Sequence, residues 1–214
     1  MHRMDIRDTI VSALREKYHP LGIAVYGSFA DGSNNQNSDF DALLLLPESE
    51  AGHDGSELFG TELDVWLYGA AYFDTPYDVE DFLQLWDSVI VEDATGRLAA
   101  LRAKVNDYIE NAPQKSESEN AQSLEWCRKM LRRTERGDTE GYYRLHWVLT
   151  DSLSIYCDLR GEYYFGPKKA LRRMAAAAPD DAAVYDRALR DPTPESLAAW
   201  LSVLEAAFSR RYRP

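Results

Sequence analysis

The sequence predicts an α/β (α+β) N-terminal domain built on a mixed sheet, followed by an all-α C-terminal helical bundle. Three observations carry this expectation. Up to residue 110, apolar runs of strand length alternate with segments of helical period. Residues 111–120 are polar and carry Pro113, as linkers do. From residue 121 onward only the helical period appears. The expected domains are therefore 1–110 and 121–214, joined by the linker 111–120.

In chain order, a helix is expected over residues 5–18, then a short buried strand at Ile23, Ala24, Val25 and Tyr26. Gly27-Ser28 ends that strand. A Gly-Ser turn entering a short helix offers free N–H groups and a hydroxyl to an anion, at the favourable end of the helix dipole. Asp39 and Asp41 open a second strand, which continues through Ala42, Leu43, Leu44, Leu45 and Leu46 and stops at Pro47. Its apolar run predicts burial on both faces, with the two acids at the accessible end. A third strand over 63–68 carries Asp64. A helix over 78–86, an apolar run at Val89-Ile90-Val91 and a helix over 97–109 complete this half. Between the last two, Asp93-Ala94-Thr95-Gly96 reads as a turn, which disfavours Glu92 and Asp93 as ligands.

The acids carry the chemistry. On a strand, residues 39 and 41 point to one face while Phe40 points to the other. Two like charges so close raise each other's pKa unless a cation lies between them. Hard oxygen ligands on a rigid strand suit Mg²⁺, which takes one or two protein carboxylates and fills its shell with water and substrate phosphate. If the third strand pairs beside the first two, Asp64 joins them, and three carboxylates suffice for two metal ions. These residue types in this pattern point to metal-dependent phosphoryl or nucleotidyl transfer.

Beyond the linker, helices are expected over 121–135, 139–159, 168–177, 181–190 and 194–210, with breaks at Gly137-Asp138, Pro179, Pro192 and Pro194. The basic residues Arg128, Lys129, Arg132, Arg133 and Arg136 read as a solvated or ion-paired helix face, because no aromatics interleave for base stacking. Cys127 and Cys157 show no metal spacing and no disulfide is expected. Of the histidines, His2, His19 and His53 lie near termini or turns and His146 sits mid-helix, so none is assigned a role.

Composition narrows the partners. With 24 basic and 36 acidic residues the formal charge is −12, a balance that repels a phosphate backbone and argues against nucleic acid. A cationic small molecule fits an acidic cleft. Asp5, Arg7 and Asp8 interrupt any apolar run at the start, and no segment approaches the ~18–20 apolar residues of a membrane span, so a soluble cytoplasmic protein with no membrane partner is expected.

Gly27-Ser28, a ten-residue spacer, Asp39-x-Asp41 and the later strand acid Asp64 resemble the signature of the DNA polymerase β-like nucleotidyltransferase superfamily. The chain is most similar in style to its small-molecule members, the kanamycin and lincosamide nucleotidyltransferases. The resemblance spans residues 5–110 well and the rest in outline. It implies that Gly27 and Ser28 bind the triphosphate and that Asp39 and Asp41 hold metal, with two Mg²⁺ ions expected. Asp64 is then the third ligand or the base that deprotonates the acceptor. The implied reaction moves a nucleoside monophosphate, AMP from ATP first, onto a hydroxyl of a small molecule such as an aminoglycoside or lincosamide, and releases pyrophosphate. Two other readings stay open: adenylylation of a protein partner, as antitoxin-like members do, and a catalytically inactive nucleotide-binding module.

Many relatives carry Arg where this chain has Asp31, so a basic phosphate contact is missing here or comes from elsewhere. In the resembling enzymes the helical domain closes over the nucleotide, often with a basic group. Lys168, after the aromatic loop between two helices, is the candidate for that contact, with Tyr163 and Glu162 as acceptor contacts. The competing reading has Tyr163, Tyr164 and Phe165 as core anchors and Lys168 solvated. Some bacterial relatives pair with helical ribonuclease toxins that carry Arg four to six residues before His. Arg144 lies only two residues before His146, so that motif is absent. Several relatives build their site between two subunits, which makes a homodimer an expectation by resemblance.

Overall fold

The computed structural model describes residues 5–48 and 51–213; His2 lies outside them. The chain divides into two compact units, the first ending at Asn111 and the second beginning at Ala112.

The first unit opens with α1 (Ile6–Tyr18), whose N-cap Asp5 accepts the Arg7 amide. Its Ile10, Val11 and Leu14 are buried against one face of the sheet. The strands are β1 (Gly22–Val25), β2 (Phe40–Leu46), β3 (Gly52–Asp54), β4 (Glu57–Leu58), β5 (Thr61–Gly69) and β6 (Val89–Asp93). Their order is β3-β5-β2-β1-β6, with β4 paired to β5. Only β2 and β5 run parallel, and the other pairs are antiparallel, so the sheet is mixed as expected. β2 is central and buried on both faces. Phe40, Ala42, Leu44 and Leu46 meet α1, while Leu43 and Leu45 meet a second cluster with Phe82, Leu85 and Leu98. Each such leucine contributes roughly 1.5–3 kcal/mol of burial, which pins the register of the strand that carries Asp41.

Several elements of the first unit depart from expectation. The helix expected over 78–86 is a 3-10 helix, Val79–Leu85, capped by Asp78 and preceded by a second 3-10 turn, Ala70–Asp74. Phe82 and Leu85, at i and i+3, lie on one face of it and are its buried anchors. Strands β3 and β4 were not expected. Their few residues hold as strands only because β5 supplies the partner edge, to which both pair antiparallel. The turn reading of residues 93–96 stands beside a strand that reaches Asp93, where Glu92 pairs with Arg15 and Asp93 accepts the Ala99 amide. Helix α2 (Ser28–Asp31) follows β1, and α3 (Arg97–Glu110) follows β6.

The second unit comprises α4 (Glu117–Thr134), α5 (Thr139–Arg160), α6 (Pro167–Ala177), α7 (Pro179–Arg190) and α8 (Pro194–Tyr212). The linker expected to reach residue 120 is shorter, because Ser116 and Glu119 form a capping box that starts α4 at Glu117. Trp200, Tyr156, Leu149 and Leu204 lie in its single apolar core. Of the basic face on α4, Arg128 is paired with Glu205 and Arg132 with Glu125.

Candidate active site

Register assembles the acidic site. In the parallel pairing of β2 with β5, Asp41 stands opposite Asp64, so both side chains share one face of the sheet. Asp39 lies two residues before Asp41, just ahead of β2. One carboxylate oxygen from each of Asp39, Asp41 and Asp64 lies within 4.8 Å of the others, with Asp39 exposed and the other two half-buried. The sheet brings together the three acids that sequence spacing singles out.

Gly27 closes one side. Its φ of +64° is a left-handed conformation that favours glycine, and a Cβ there would collide with Asp41 Oδ2. The Tyr26 amide donates to the Asp41 carbonyl at 3.1 Å, so the end of β1 is tied to the acid-bearing end of β2. Ser28 follows at the start of α2, 1% exposed, and its hydroxyl has no hydrogen-bond partner among the described residues. A buried hydroxyl left unpaired is costly unless a ligand atom completes it. Tyr26 lies behind the acids. Burial, and then the charges of Asp64 and Asp41, push its phenol far above the ordinary tyrosine range.

One residue escaped the sequence reading. His53 Nε2 lies 2.7 Å from Asp64 Oδ1, and its ring packs on Trp66 at a centroid distance of 4.9 Å. The antiparallel register of β3 with β5 puts His53 opposite Trp66, hence on the same face as Asp64. The next residue, Asp54, points the other way. Its carboxylate binds Lys17 Nζ and Tyr18 OH, each at 2.7 Å, and so fastens β3 to the end of α1.

The other sequence candidates belong to the helical unit. Lys168 is exposed in the first turn of α6. Tyr163 packs against Phe165 at 4.8 Å, and Glu162 is ion-paired with Arg160 and Arg173.

The donor set fits a hard divalent cation: three carboxylates, no sulfur, and room for water or phosphate oxygens on the exposed side. The orphaned Ser28 hydroxyl and the side-chain-free Gly27 fit a phosphate group close to the backbone. A mixed sheet with this acid set and a Gly-Ser turn defines a nucleotidyl-transferring enzyme.

Residues 7–121, more than half of the chain, match the family described as Nucleotidyltransferase domain, and the protein belongs to that family. Members of this family use a nucleoside triphosphate and a divalent metal, and this chain is a transferase. Among solved structures it is similar to a nucleotidyltransferase-like protein from Exiguobacterium sibiricum 255-15, with 14% identity over 96% of this chain and 75% of that one. The TM-score of 0.39 adds nothing to the family assignment. No curated protein matches the chain. No described helix is long and apolar enough to cross a membrane.

Proposed function

We propose that the protein transfers a nucleoside monophosphate, AMP from ATP, to a hydroxyl of a small-molecule acceptor. The observation that carries this reading is the convergence of Asp39, Asp41 and Asp64 beside Gly27 and the unpartnered Ser28 hydroxyl. Asp39, Asp41 and Asp64 would hold two Mg²⁺ ions, which when bound neutralise charge at the α-phosphate and acidify the acceptor hydroxyl. The Ser28 hydroxyl donates to a phosphate oxygen, and Gly27 lets the triphosphate approach the backbone. Both hold the α-phosphorus in line with the incoming oxygen. The acceptor hydroxyl gives its proton to the Asp64 carboxylate, its oxygen bonds to the α-phosphorus, the bond to the bridging oxygen breaks, and pyrophosphate leaves.

The acidic balance of the chain favours a cationic acceptor, and aminoglycosides are the first class to try, lincosamides the second. The test is pyrophosphate release from ATP, GTP, CTP and UTP with Mg²⁺ across a panel of both classes, with Asp39→Asn as the blank. Release that needs one acceptor and vanishes in the variant supports the reading. Wild-type turnover in Asp39→Asn overturns it.

A further inference from the structure

The metal reading leaves His53 unused, yet four observations fix it at the site. Its Nε2 is 2.7 Å from Asp64 Oδ1. Its ring lies against Trp66, its register partner. On another side is Gly55, where an added Cβ would come within 3.3 Å of His53 Cε1, so a side chain there would crowd the ring. The neighbouring Asp54 anchors the strand to α1 through Lys17 and Tyr18. An imidazole restrained in this way on a short edge strand is an oriented group, and its Nε2 is oriented towards the third carboxylate.

We propose that His53 is a positioning residue for Asp64. With its hydrogen on Nε2, the imidazole donates to Oδ1 and fixes the carboxylate's rotation, so that Asp64 offers its remaining oxygen to the site shared with Asp39 and Asp41. This inference rests on the reading of the three acids as metal ligands. It assigns to β3 a purpose that its small burial does not: it carries the outer-shell partner of a ligand, the kind of group that tunes affinity without touching the ion. Gln is the conservative replacement, because its side-chain amide N–H reaches a position similar to Nε2–H. Ala removes the donor altogether.

The test is Mn²⁺ binding to the purified protein without nucleotide, followed through loss of the free-ion electron paramagnetic resonance signal. Wild type, His53→Ala, His53→Gln and Asp39→Asn are compared, and thermal melting confirms that each is folded. His53→Ala is expected to bind Mn²⁺ about 10–100-fold more weakly, with His53→Gln restoring binding towards wild type and Asp39→Asn losing it. Wild-type affinity in His53→Ala, while Asp39→Asn still loses binding, overturns the positioning role alone. Equal weakening in His53→Ala and His53→Gln overturns it too, since a lost donor is not then the cause. Wild-type affinity in Asp39→Asn overturns the metal reading and this inference with it.

Discussion

Gly27 is the position where one atom decides the site. Its left-handed φ and the closeness of Asp41 Oδ2 leave no room for a methyl group. Gly27→Ala must displace Asp41 or the turn, and a shift of about 1 Å in a positioned group costs about 100-fold in rate. Pyrophosphate release should fall by at least that much while the protein stays folded, and activity within a few-fold of wild type would contradict the placement. At this scale the sequence is informative where periodicity rules. Asp39 and Asp41 share a face by alternation alone, and Asp64 follows once its strand is recognised. His53 was illegible for the opposite reason. Its contact with Asp64 depends on the antiparallel register of a three-residue strand, and nothing in Gly52-His53-Asp54 announces a strand.

The elements that could be read in advance are those that carry their own signal. Helix α1 has its cap and its buried stripe, β2 its run of leucines, and α4 to α8 their period and their proline or glycine breaks. The elements that could not be read borrow their stability from neighbours. The 3-10 helix at Val79–Leu85 forms around Phe82, and β3 and β4 form on the edge of β5. Asp54 shows how β3 is held. Burial opposes its charge, but hydrogen bonds from Lys17, Ser56 and Tyr18 outweigh burial and hold its carboxyl well below the usual range. A folded-state pKa below the unfolded one gives stability that is present above about pH 4 and is lost as pH falls towards the folded value. Asp54→Asn should therefore cost about 1–3 kcal/mol near neutrality, since Lys17 and Tyr18 lose a charged acceptor. It should also flatten the acid limb of a urea-unfolding series taken downward from about pH 5. An acid limb as steep as that of wild type would show that Asp54 is not the group responsible.

On the scale of the whole molecule, composition and segmentation were legible: an acidic chain, an α/β unit and a helical unit meeting near residue 111. The two cysteines lie in the core of the helical unit. Burial pushes the Cys127 thiol up to about 12 and the Cys157 thiol up to about 11. Neither should react with a disulfide reagent at about pH 8 in the native protein, because the thiolate is the reactive form. Both should react once denaturant opens that unit, so thiol exchange reports its unfolding, and fast native labelling of either would contradict the packing. In the other unit, the proposed function requires that three carboxylates and a Gly-Ser turn act as one metal-dependent triphosphate site. Calorimetry of ATP binding with and without Mg²⁺, in wild type and Asp41→Asn, tests this directly and needs no knowledge of the acceptor. Binding should require Mg²⁺ and weaken by at least about tenfold, or about 1.4 kcal/mol, in the variant. Binding of equal strength without Mg²⁺, or unchanged in Asp41→Asn, would contradict it.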